Sequence, residues 1–263
     1  MTGSLNVVRH SHDFIPEKEN LLRKLLMGAV VASATLALAG GAIAQVQNSD
    51  GSATLDASVS PKKAGKKNKP KSVSLNANLR VNKPGTTVEV IEVKVSDKLK
   101  FSGKGFKKCN IDDLIAAGIS ACPSGSKAGP MGTATAIIEP GGAPLDFDVY
   151  PFVEDSNTFL FYLNGINGNG VQTAIKGEIT SGGKKLRITI PLELRQPANL
   201  DATLTSINQT FKGKSGKHAI VSSTGCKGGN YKVTGGLEFA TRSNGTPGPA
   251  PESLTEKVKC SKP

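Results

Sequence analysis

From residue 73 onward the chain alternates. Val73, Leu75, Ala77, Leu79 and Val81 occupy one side of a period-two pattern, and Ser74, Asn76, Asn78 and Arg80 the other. That spacing predicts a strand with one buried face. A second strand spans 88–95, and its apolar phase slips by one residue at Val90 and Ile91, which predicts a bulge. Leu99, Phe101 and Phe106 follow between glycines. Further strands are predicted over 132–138, 145–150, 159–163, 171–179, 186–190, 202–207, 218–222, 231–233, 237–241 and 254–260. Residues 159–163 are apolar on both sides and read as a central strand. Pro191 and Pro197 bracket Leu192, Glu193 and Leu194, an edge-like segment. Short strands separated by Gly, Pro, Asn and Ser turns predict an all-β fold: an antiparallel β-sandwich or a two-lobed β-structure.

One stretch departs from this period. Asn110 is a good N-cap, Asp113 falls at N3, and Ile111, Leu114 and Ile115 follow helical spacing up to Gly118, a C-cap residue. The spacing predicts a helix of about two turns over 110–118, too short to persist alone. Cys109 and Cys122 flank it. Four cysteines allow three pairings. We favour Cys109–Cys122, which staples the helix at both ends, and Cys226–Cys260, which pins the last strand to the turn at Thr224 and Gly225. Each bridge contributes about 3–4 kcal/mol by restricting the unfolded chain.

The first 72 residues read differently. Arg23 and Lys24 precede an apolar run over 25–40, and Ala42-Ile43-Ala44 is a small-residue cleavage site. Basic flank, short apolar core and A-x-A site predict a secretory signal peptide over 1–44. Residues 1–20 do not resemble its basic start, and we expect translation to begin near Leu21 or Leu22. The apolar run is shorter than the ~20 residues of a spanning helix. No integral membrane span is expected after cleavage. Residues 45–71 are rich in Gly, Ser, Asn and Lys and read as a disordered basic leader. Residues 72–263 then make one β-domain, long enough to bury about 70% of its unfolded surface.

Charge adds a candidate interaction. The chain carries 33 Lys and Arg against 21 Asp and Glu, a net charge of +12. The leader ends with Lys62, Lys63, Lys66, Lys67, Lys69 and Lys71, and further lysines cluster over 94–108 and at Lys212, Lys214 and Lys217. An exported basic protein meets anionic cell-wall polymers or other polyanions. Nucleic acid is a poorer partner, because the chain has few aromatic residues for stacking on bases. The plain alternative is that lysines on edge strands keep sheets from pairing.

Catalytic chemistry has few candidates. Past residue 44 the chain has one histidine, His218, so multi-histidine metal sites are excluded and no catalytic, cofactor-binding or metal residue is assigned. There is no G-x-S-x-G elbow, and the paired cysteines leave no thiolate nucleophile. Asp146 and Asp148 share a strand face and could serve a carboxylate-dependent hydrolase; the simpler reading is a solvated face opposite Phe147 and Val149. A glycan-binding module is disfavoured, because the chain has no Trp and Tyr150 and Tyr162 sit in apolar strands. The stretches 69–75, 99–109, 121–127, 132–136 and 224–226 together resemble a group of uncharacterised secreted actinobacterial proteins. The resemblance covers nearly the whole mature chain. It implies export and a β-fold with paired cysteines, and it brings no catalytic residue. The expectation is therefore a secreted, non-catalytic binding or structural protein, extracellular or associated with the cell envelope.

Overall fold

The computed structural model describes residues 45–48 and 51–263. The expected signal peptide over 1–44 lies outside the described residues. In chain order the strands begin with β1 (Gln45–Gln47), β2 (Ala53–Ser60), β3 (Lys71–Ser72), β4 (Ser74–Val81), β5 (Thr87–Val95) and β6 (Leu99–Phe101). Helix α1 (Ile111–Ala117) precedes β7 (Gly132–Glu139), β8 (Pro144–Val153), β9 (Thr158–Ile166), β10 (Gln172–Thr180) and β11 (Lys185–Thr189). A single helical turn, α2 (Leu192–Arg195), leads into β12 (Asp201–Phe211), β13 (Lys214–Ser215), β14 (His218–Ala219), β15 (Val221–Ser223), β16 (Asn230–Ala240) and β17 (Glu252–Lys259).

Twelve strands form one sheet in the order β1-β2-β4-β12-β7-β8-β9-β10-β11-β5-β16-β17. The pairings are antiparallel, and β17 comes round to lie against β2, so the sheet nearly closes into a barrel. The expected sandwich gives way to this one continuous ladder. Alternation reports which face of a strand is buried; it does not report where a hydrogen-bonded ladder breaks, and here twelve strands run on before the seam between β17 and β2. At the seam, inward-facing Glu256 of β17 accepts the Ala57 N–H of β2. Glu252 accepts from the side chains of Asn48, Ser52 and Lys83.

Three local expectations are corrected. The leader of 45–71 carries β1 and β2, and Leu55, Ala57 and Val59 of β2 are buried opposite Leu79, Ala77 and Leu75 of β4. Its apolar side chains are small, which hid a regular alternation from a composition-based reading. Leu192 to Leu194 form part of α2, not an edge strand, because Pro191 opens a helical turn closed by the Arg195 and Gln196 N–H groups. The irregularity in β5 falls at Glu89, one residue before the predicted slip: β16 pairs Glu238 with Val90 and Phe239 with Val88.

The helix is as expected. The Asn110 side chain accepts from the Asp112 and Asp113 N–H groups, and Gly118 ends the helix at φ 68°. Leu114, fully buried, packs with Cys109, Phe152, Leu160 and Tyr162 on the outer face of β8–β10. Both favoured disulfides are present, Cys109–Cys122 and Cys226–Cys260.

Inside the barrel the two ends are filled differently. Near the ends of β12 and β6 and the start of β9, Phe101, Phe159 and Phe161 surround Phe211, with ring centroids 5.4–6.2 Å away. A small sheet, β3-β15-β6, closes this end, and the buried Tyr231 hydroxyl meets Ser223 Oγ at 2.7 Å. The opposite end is closed by α2 and the turn after it. Around it the Arg242 guanidinium joins Asp201 (3.1 Å) to Glu139 (2.8 Å), which also accepts the Gly85 N–H. On the outer wall between them, Lys185, Lys94 and Arg187 converge on Glu92. Burial alone would raise that carboxyl, but the three cations outweigh it and hold it at about 2.

Candidate lysine cleft

At the aromatic-filled end the chain leaves β2, crosses the barrel rim and returns as β3. Ala64 is buried, and its N–H donates to the Ser261 carbonyl at 3.0 Å. Ser261 in turn donates its N–H to the Lys62 carbonyl at 2.9 Å. Lys66 and Lys69 exchange backbone hydrogen bonds of 3.0 Å in both directions, so the lysine run folds back on itself as a tight loop. Gly65 makes the crossing feasible. A Cβ there would lie 2.4 Å from both the Lys71 nitrogen and the Ser223 oxygen, so only a glycine fits between the two backbones. The Cys226–Cys260 bridge holds the chain before Ser261 in place.

The hairpin β13–β14 faces this loop. Its position is set by the loop before α1: Ser215 Oγ donates to the Gly105 carbonyl at 2.7 Å, and the His218 ring lies directly over Gly105. Ser72 Oγ reaches the Gly213 carbonyl at 3.4 Å and links the hairpin to β3. Between loop and hairpin lies an open cleft of about 710 Å³. Lys63, Lys66, Lys69 and Lys71 line it from one side, and Lys214, Lys217 and His218 from the other. Among the described residues no Asp or Glu side chain lines the cleft, Pro263 lies along its edge, and none of its six lysines is ion-paired. Elsewhere on the surface, Lys94, Lys176, Lys184 and Lys185 each hold a carboxylate.

Four of the six lysines expected to meet a polyanion therefore share one cleft. Lys62 and Lys67 do not line it. The far wall, Lys214, Lys217 and His218, was visible in the sequence only as a separate basic run. Nothing in local spacing shows that a segment near 65 and one near 216 face each other. Six unpaired ammonium groups in one concavity repel each other and attract an anion, with an interaction that salt screens within ~8–10 Å.

The carboxylate candidates are already engaged. Asp146 accepts from Thr135 Oγ1 (2.9 Å) and Asn167 Nδ2 (3.2 Å), while Asp148 accepts from the Tyr150 hydroxyl. Burial and the Asp148 charge raise the Tyr150 phenol above its ordinary range. Phe147 and Val149 point inward, as the alternation predicts, so both aspartates lie on the barrel's outer face. Tyr150 and Tyr162 sit beneath α1 on that face. Tyr162 is buried and Tyr150 half-buried there. Among the described residues no group of His, Cys, Asp and Glu is placed to hold a metal ion, and no helix is long and apolar enough to cross a membrane.

Comparison with protein families, with curated proteins and with solved structures gives no match to this chain.

Proposed function

We propose that this is an exported, non-catalytic binding protein that holds an anionic polymer in the lysine cleft, at the cell envelope or outside the cell. The observation that carries the reading is the convergence of six unpaired lysines on one concave surface from segments about 150 residues apart. Solubility alone needs lysines spread over edges and faces; it does not need one lysine segment anchored by backbone bonds to Ser261 and linked through Ser72 to the hairpin that carries the other. The two bridges suit an oxidising compartment. The basic presequence and its A-x-A site support export. A repeating phosphate or carboxylate polymer fits better than a compact anion, because the cleft is open and its cations sit on long, mobile stems.

The test is retention on immobilised polyphosphate and on immobilised cell-wall polyanion, eluted with salt. Replacing Lys66, Lys69, Lys214 and Lys217 by Gln is expected to weaken retention at least tenfold. Replacing Lys104, Lys232, Lys257 and Lys259 by Gln removes the same charge elsewhere and should cost far less. Equal losses in the two sets would assign the binding to net charge and remove the cleft from the account.

A further inference from the structure

The barrel end opposite the lysines holds a partly enclosed apolar space. It measures about 130 Å³ and is walled by Phe147, Leu163, Ile175, Ile188, Leu204 and Ile207. It exists because β7 and β12 carry Ala134, Ala136 and Ala202 there, where phenylalanine rings fill the other end. Among the described residues, the only charged side chains along its lining are Glu193 and Arg195, both on the one-turn helix α2. Water has almost nothing to hydrogen-bond inside such walls. An apolar cavity of similar size, ~150 Å³, stays dry and accepts a benzene-sized molecule.

The cover packs Leu194 against the core and is held by polar ties as well. Arg195 Nε donates to the Ile190 carbonyl at 2.9 Å, and its Nη2 lies 3.2 Å from Glu89. Gln196 Nε2 reaches Asp201 (3.3 Å) and the Thr241 carbonyl (3.2 Å). The turn behind it is strained: Ala198 and Asn199 stand at φ 51° and 63°, in the left-handed region. Two large apolar side chains flank the cover and face solvent, Leu192 at 56% and Leu200 at 45% exposure. An apolar cavity, a small strained cover on polar latches, and exposed leucines at its rim describe a site for a hydrocarbon that enters from outside.

We infer that this cavity binds the end of an alkyl chain of a small amphiphile, with about six carbons enclosed and the polar head left at the rim beside Leu192, Leu200 and Arg195. The site is separate from the lysine cleft and does not depend on it. The head stays outside because the walls offer it no partner, and the chain end goes in because it replaces empty space with contact.

Methyl-resolved NMR of the oxidised protein, titrated with octanoate and with octan-1-ol, tests this. Both should shift the methyls of Ala134, Leu163, Ile188 and Leu204, and octanoate should also move signals of Arg195. Absence of shifts up to the solubility limit, or shifts confined to the exposed Ile115 and Ile119 on the outer face, overturns the inference. Ala134→Leu fills the space and should weaken octanol binding at least tenfold. Leu204→Phe, which fills it from another strand, serves if the first variant does not fold. Flotation with phosphatidylglycerol vesicles separates the sources. Release of the protein from vesicles by Ala134→Leu, with octanol binding lost too, assigns the chain to membrane lipid. No flotation but intact octanol binding assigns it to a free amphiphile. Flotation without octanol binding overturns the cavity as the site.

Discussion

The two ends of the barrel are closed by opposite means. At the lysine end, backbone crosses backbone: Gly65 lies tight against the paired strands β3 and β15, the Cys226–Cys260 bridge ties the last strand, and four phenylalanine rings fill the interior. At the other end a single helical turn lies over alanine-lined space, latched by side-chain hydrogen bonds and one guanidinium between Asp201 and Glu139. Tight packing at one end makes it a rigid platform for a charged surface. Loose packing at the other leaves room inside. Rigidity suits recognition from outside, because a backbone that cannot relax keeps the lysine stems gathered on one surface. A cavity persists only where its walls cannot collapse inward, and a hydrogen-bonded ladder running round the barrel prevents collapse.

The contrast can be broken by perturbing each end in turn. The largest effect is expected from replacing Cys226 and Cys260 together by Ser, which should lower stability by about 3–4 kcal/mol and the melting temperature by roughly 10 °C. Polyanion retention should fall with it, while binding inside the barrel survives below the new melting point; calorimetry and the retention assay read the two separately. Next in size, Gly65→Val places a side chain against two backbones and should cost about 2 kcal/mol. The loss should appear in denaturant unfolding together with collapse of the lysine cleft.

Acid separates the ends by charge. Glu92 on the wall is held at about 2 against its ordinary 4.5. For Asp201 at the covered end, burial opposes ionisation, but Ser243 and Arg242 prevail and keep it below its ordinary range. A depressed carboxyl contributes stability that is present above its unfolded pKa and is lost as pH falls through its folded one. Stability should therefore decline from about pH 4.5 towards pH 2, by about 1–2 kcal/mol for these groups together. Glu256 at the seam runs the other way. Burial raises it, partly offset by the Ala57 N–H, so its contribution is complete at low pH and is lost as pH rises through its folded value. Glu256→Gln should remove that loss at higher pH without touching the acid limb; melting curves from pH 2 to 8 measure both. The smallest effect is a gain. Ala134→Leu should raise stability by about 0.5–1 kcal/mol, because it fills space that is already there. A Gly213→Ala change at the packed end meets Ile220 at 2.9 Å and Phe106 at 3.2 Å and should lose stability. A loss in the first variant equal to the second would mean that both ends are equally full.

Much of this molecule was legible because its signals are local. Asn110, Gly118 and the spacing of Ile111 and Leu114 specify α1, since capping and periodicity act within one turn. The cysteine pairing followed from what each pair would staple. The alternation of Val73 to Val81 gave the buried face of β4 correctly. By the same rule the alternation of Ala53, Leu55, Ala57 and Val59 belonged to a strand, and lysine-rich surroundings concealed it. What local signals leave open is partnership. Whether strands close into one ladder, whether Lys66 faces Lys214, and whether Ala134 and Ala202 meet across a gap all depend on long-range register. That register is chosen by the whole sheet at once: each pairing is weak, and only their closure selects one arrangement. The order of residues determined which side chains are buried and which are charged; the tertiary structure alone decided that the charges gather at one end and the unfilled space at the other.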